Sequence, residues 1–398
     1  MLKDLSAADL HGLSRLAVRG VAETTSLVEQ VHHNIAGIRP PVGRSRAGGT
    51  RGITGVVYRS IHGVNGLVGG ALDMAFQPFS RRAERIDSTP QREAFLAVLN
   101  GVIGDHLDAT ANPLAIPMRL RPGGPSAEPG LDAHSGGVAR DSRRLLIAIH
   151  GLCQSDRCWT PRDEAAGVDL PAELSRVHGY TSLQLHYNTG RPIATNGREL
   201  AVRLDSLVQD WPVPVDEIVL LGHSMGGLVA RSACHYGQVD QYGWTRRVRR
   251  LITLGTPHHG SPLEKAGYGF ERLLGISPYS APFARLGRMR SAGITDLRHG
   301  RVVESAGGDR SDGAIAELPP QVELHAIAAT TAERMEGYRA RIIGDGLVPI
   351  NSALGRHPDA GRRLPIPAGR RRILASTGHM DLLHHPQVLD TLHDWLSG

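Results

Sequence analysis

Residues 217–231 read EIVLLGHSMGGLVAR, and they decide how the rest of the chain is organised. The first five residues form a short apolar run of the kind that makes a buried strand, and Leu228-Val229-Ala230-Arg231 continues a helical pattern. Between them, Gly222-His223-Ser224-Met225-Gly226 is a G-x-S-x-G. A nucleophilic serine needs this arrangement. It must sit on a sharp strand-to-helix turn with its hydroxyl pushed clear of the sheet, and glycines two residues before and after leave room for the strained backbone. The helix that begins at Met225 then turns its positive end toward a developing oxyanion. A bare G-x-S-x-G recurs by chance, but one placed between a strand and a helix is specific.

Strand-like runs on either side repeat the pattern. They cover Arg144–His150, Ser182–Tyr187, Glu217–Leu221, Arg250–Leu254, Val322–Ala328 and Arg371–Ala375, with LAIPMRLR at 114–121 as a further short strand. Helical runs lie between them, notably Gly197–Gln209, Met225–Tyr236 and Pro386–Leu396. Short apolar strands alternating with helices predict an α/β fold, a mostly parallel sheet with helices on both faces.

A serine nucleophile needs a base, a group to orient that base, and donors for the oxyanion. In a sheet of this kind the chain order is serine, acid, histidine. His379 follows the last strand-like run and precedes the closing helix, where the base belongs. His384 and His385 compete, but at the start of that helix they read as capping residues. For the acid, Asp345 in RIIGDGLVPINSA follows the strand Val322–Ala328, whereas Asp312 precedes it and reads as a surface turn. The expected oxyanion donors are the backbone N–H groups of Met225 and of Leu152, which follows the strand ending at His150. His150 itself reads as a loop-shaping hydrogen-bond former, and Cys153 as a small buried apolar residue.

Composition narrows the function classes. All but two of the 45 basic residues are arginine and they are scattered among 39 acids, so the net charge of +6 does not mark a nucleic-acid binder. Three cysteines make neither a disulfide framework nor a zinc pattern, and no metal or organic cofactor is expected. The N-terminus has no signal-peptide pattern and no stretch reaches the ~18 apolar residues of a spanning helix, so a cytoplasmic location is expected.

Residues 1–110 read as a helical extension before a hydrolase domain at 111–398. Ser6 and Asp9 make a capping-box start for a helix over 4–36 with Leu10, Leu13, Ala17, Val21 and Val28 on one face. A second periodic run, from Gly52, places Ile53, Val57, Ile61, Val64, Val68 and Leu72 on one face. Its six glycines each cost about 1 kcal/mol against alanine in a helix. Close packing on another helix or on the main domain would compensate for that, and so would a lipid or polymer surface. Peripheral contact with a membrane or granule is therefore left open. A third helix is expected over Gln91–His106.

Taken together, HGLC at 150–153, GHSMGG at 222–227, GTPHHGSP at 255–262, GDGLVP at 344–349 and the GHMDLLHHP tail resemble the α/β-hydrolase lipases and esterases. The similarity is greatest to the bacterial branch of GPI inositol-deacylase-like proteins. The resemblance runs from about Leu145 to the C-terminus. It implies an α/β-hydrolase fold with a Ser224–Asp345–His379 triad, and it places His258 and His259 at the pocket rim, where His150 is also expected. It says little about the first 110 residues. The stretch 263–310 is where such folds insert a cap or lid, and it holds a large share of the chain's few aromatic residues. The expected activity is hydrolysis of a small-molecule or lipid carboxylic ester, with thioesterase, amidase, acyltransferase and storage-polyester depolymerase as variants on the same residues. A scaffold with a dead site is the remaining alternative.

Overall fold

A computed structural model of the chain describes residues 6–36, 52–80, 89–123, 141–161, 167–261, 291–304, 316–333 and 344–397. Seven strands form one sheet: β1 (Arg119–Pro122), β2 (Arg144–Ile149), β3 (Thr181–His186), β4 (Glu217–His223), β5 (Val248–Leu254), β6 (Glu323–Ala329) and β7 (Arg371–Leu374). Their order is β1-β3-β2-β4-β5-β6-β7. β1 runs antiparallel to β3 and every other pair is parallel. This is the α/β-hydrolase arrangement. The apolar strand runs follow from burial on both faces. Leu145, Ile147 and Ile149 of β2 pack on one side with α5 (Ile193–Gln209) and α6 (Met225–Val239). Leu146 and Ala148 pack on the other with α4 (Leu170–His178) and α8 (Pro386–Ser397).

The expected cap or lid, 263–310, falls mostly on residues 263–290 and 305–310, outside the described residues, as does Asp312. Its described part contains α7 (Ala292–His299), capped by the Ser291 hydroxyl and ended by Gly300 at φ 65°.

The chain divides into two compact units, Met1–Asp87 with Thr110–Leu114, and Ser88–Ala109 with Ala115–Gly398. The division places α3 (Pro90–Ala109) with the sheet, whereas the expected boundary at 110 placed it with the N-terminal helices. Buried polar contacts explain the difference. Glu93 accepts from Arg121 at 3.2 Å and from Arg157 at 2.5 Å. The Gly101 carbonyl accepts from Ser291, and Asp105 accepts from the Ala292 amide.

In the first unit, α1 (Ala7–Ala36) starts with the expected capping box, Ser6 N to Asp9 Oδ2 at 2.8 Å and Asp9 N to Ser6 Oγ at 3.1 Å. It lies against α2 (Gly52–Ser80). The apolar stripes do not face inward. Leu10, Val21 and Val28 of α1 and Val57, Ile61, Val64 and Val68 of α2 are exposed. Ten of the thirteen large apolar side chains left exposed among the described residues belong to these two helices. Among the described helices none is long and apolar enough to cross a membrane.

Candidate active site

β4 delivers Ser224 to the turn before α6 with φ 53° and ψ −124°, a backbone that non-glycine residues rarely adopt. Its amide donates to the Leu254 carbonyl of β5 at 2.8 Å, which holds the turn to the next strand. Both flanking glycines are required by space. A Cβ at Gly222 would lie 2.5 Å from Gly227 Cα, and one at Gly226 would lie 2.1 Å from the Ile149 carbonyl oxygen. The elbow is therefore pressed onto the end of β2 closely enough to exclude any side chain at either position.

His379 and Asp345 meet beside this turn. His379 Nδ1 lies 2.7 Å from Asp345 Oδ2, and the His379 amide donates to the Asp345 carbonyl at 3.1 Å. The other carboxylate oxygen accepts the amides of Leu347 and Val348 at 3.0 and 2.8 Å. Asp345 and His379 are buried, and Ser224 is 7% exposed. Gly255, at φ +58°, passes so near that a Cβ there would fall 3.0 Å from Asp345 Oδ2 and 3.1 Å from His379 Nδ1. Of the competitors, His384 Nδ1 contacts the Val168 carbonyl oxygen and His385 Nδ1 accepts from the Gln387 amide at the start of α8.

On the other side of the serine, Gly151 comes within van der Waals range of it, since a Cβ would lie 2.9 Å from Ser224 Cβ. Leu152 and Met225 are both buried here. Met225 opens α6, so its N–H is among the first four that the helix ladder cannot use. Cys153 follows with φ 59° and is reduced. Burial pushes its thiol up to about 12, which keeps it protonated and inert at neutral pH.

The three histidines expected at the pocket rim sit differently from one another. His150 is fully buried against the Tyr187 ring, 4.6 Å between centroids, and burial pulls its pKa down to about 4. His258 is buried as well, accepting from Arg231 Nη1 at 3.3 Å and donating to Thr253 Oγ1 at 3.3 Å. His259 is half-buried, with its ring 5.0 Å from that of His357.

Two residues that the sequence did not single out link these parts. Gln154 Oε1 accepts the Gly151 amide at 2.9 Å and lies 3.2 Å from His223 Nδ1. His223 Nε2 donates to the His379 carbonyl at 3.0 Å. The middle position of the G-x-S-x-G thus ties the end of β4 to the loop that carries His379. Burial holds His223 well below the ordinary histidine pKa, so it is neutral and donates through one nitrogen only. A polar residue buried beside the serine is the only signal the sequence offered for this link.

Residues 198–318 match the family model of the PGAP1-like alpha/beta domain. The matched part includes Ser224, α6, β5 and the Gly255–Gly260 loop, and it ends before Asp345 and His379. Among solved structures, the chain is similar to the mature lipase BlEst2 of Bacillus licheniformis, at 20% identity over 63% of this chain and 91% of that one, with a TM-score of 0.42. It is also similar to the esterase Pf2001 of Pyrococcus furiosus, at 16% identity over 65% and 83% with a TM-score of 0.38. A third is a thermophilic esterase from Thermogutta terrifontis, at 16% identity over 71% and 93% with a TM-score of 0.38. No curated protein matches the chain.

Proposed function

We propose that this PGAP1-like chain is a serine hydrolase of carboxylic esters, with Ser224 as nucleophile, His379 as base and Asp345 as the group that orients it. The reading rests above all on the 2.7 Å contact between His379 Nδ1 and Asp345 Oδ2 beside a serine at φ 53°. With Nδ1–H given to the carboxylate, Nε2 is left to take the serine proton. Ser224 then attacks the ester carbonyl. The Leu152 and Met225 amides receive the oxyanion, and His379 passes its proton to the departing alcohol. Water, activated by the same imidazole, clears the acyl-enzyme.

Labelling by a fluorophosphonate tests the nucleophile, and a p-nitrophenyl ester series of rising acyl length tests the reaction. The wild-type chain is expected to label and to turn over at least one ester of the series. Ser224→Ala should lose both, with turnover falling by about 10⁴-fold or more. Unchanged labelling in Ser224→Ala, or no turnover at any acyl length, would overturn the proposal.

A further inference from the structure

The helix pair α1–α2 leaves a row of apolar side chains outward. Tyr58 of α2 is buried, and two partly exposed polar residues of α2 pair with α1. Asn65 donates to the Val18 carbonyl at 2.7 Å, and Asp73 meets His11 at 2.7 Å and Arg15 at 3.6 Å. The opposite face carries Val57, Ile61, Val64, Leu67, Val68 and Met74, with Leu67 77% and Met74 73% exposed. Water-soluble helices place these two kinds of residue the other way round. The glycines deepen the contrast. Close packing accounts for Gly69, where a Cβ would meet Val18 at 2.9 Å, but a Cβ at Gly63, Gly66 or Gly70 would meet nothing within 4 Å. What α2 lacks in inward packing must be supplied from its outer face.

We infer that the outer face of α2 lies on an anionic lipid surface, with the helix in the plane of the interface. Charge complementarity selects this occupant. Residues 37–51, before α2, contain Arg39, Arg44, Arg46 and Arg51 and no acid, and Arg81, Arg82 and Arg85 follow its end against Glu84 and Asp87. Within α2 only Arg59 and Asp73 are charged at neutral pH, and Asp73 is engaged by α1. An apolar face about 26 Å long from Val57 to Met74, on a helix flanked in sequence by arginines, fits acyl chains bordered by phosphate headgroups. A second copy of the same pair would bring arginine-rich ends together in either orientation. Because α2 is not apolar enough to span a bilayer, it lies on the surface. This inference is independent of ester hydrolysis.

Co-sedimentation of the full chain with vesicles tests it. The chain is expected to pellet with vesicles of phosphatidylglycerol and phosphatidylcholine in equal parts. It should bind weakly to phosphatidylcholine alone and release substantially in ~0.5 M salt. The exposed double variants V64Q/L67Q and V57Q/M74Q, which keep good helix formers in place, should need about tenfold more lipid for the same binding. Fluorophosphonate labelling of Ser224 should be unchanged in both, so failure of the hydrolase reading and failure of this one are distinguishable. Wild-type chain left in the supernatant with every vesicle, or both variants pelleting like wild type, would overturn the inference. So would a wild-type dimer that the substitutions dissociate while lipid binding stays the same.

Discussion

Ser224 holds a strained backbone because its neighbours over-determine it: β5 fixes its amide, and Gly226 lets the helix start against β2. What positions His379, the proposed base, is less visible. His379 is held by Asp345 from one side and, through its carbonyl, by His223 from the other. His223→Phe keeps the ring's bulk but leaves that carbonyl unpaired, at a cost of about 1–3 kcal/mol if it stays buried. We expect kcat to fall about tenfold to a hundredfold with KM little changed, as small displacements of a reacting group do. His223→Gln, which can still donate, should recover part of the loss. Steady-state kinetics with a soluble short-chain ester checks this, and kcat equal to wild type in His223→Phe would remove His223 from the positioning network. At this scale the meeting of Asp345 and His379 beside Ser224 was legible, because strand order places them. The His223–His379 link was not, since it depends on groups meeting across 156 residues of chain.

Among the elements, α3 bears on the site most directly. A Cβ at Gly101 would fall 2.2 Å from Cys153 Sγ and 3.1 Å from the Cys153 amide nitrogen, so the helix presses on the loop that follows Leu152. Gly101→Ala should displace that loop and lower kcat about tenfold, more than its effect on stability would suggest. Adding Cys153→Ala removes the sulfur and should restore part of the rate. A double variant no faster than Gly101→Ala alone would show that the sulfur is not the point of collision. Helical periodicity was enough to find α3, and the strands were readable as apolar runs. Where α3 docks was not readable, because Glu93 looks like an ordinary surface acid until Arg121 and Arg157 are brought to it. The outward stripe of α2 was equally hidden. Periodicity identifies an apolar face but carries no information on what it faces.

For the molecule as a whole, several histidines are folded into places where a charge is costly. Burial lowers His150 to about 4 and keeps His223 and His258 well below 6.5. The unfolded chain takes up these protons near pH 6.5, whereas the native state refuses them until the pH is much lower. Unfolding therefore binds protons in this range. The stability contribution is complete above pH 6.5 and is lost as the pH falls toward 4, on the order of 3 kcal/mol for His150 alone. Scanning calorimetry between pH ~7.5 and ~4.5 should show Tm falling by roughly 5 °C or more, and a flat Tm would mean that these rings are not neutral in the native state.

The double attachment of His379 to Asp345, through side chain and through backbone, has one more consequence. The acid and the base are pinned to each other, so the peptide joining them is a closed loop whose ends are already held together. Its outward turn around 356–363 is largely exposed. Lengthening a loop whose ends are fixed costs entropy only slowly, about 0.6 kcal/mol for each doubling. This turn is therefore a place where the chain can accept inserted sequence, a tag or a whole added module, while Asp345 and His379 keep their mutual position.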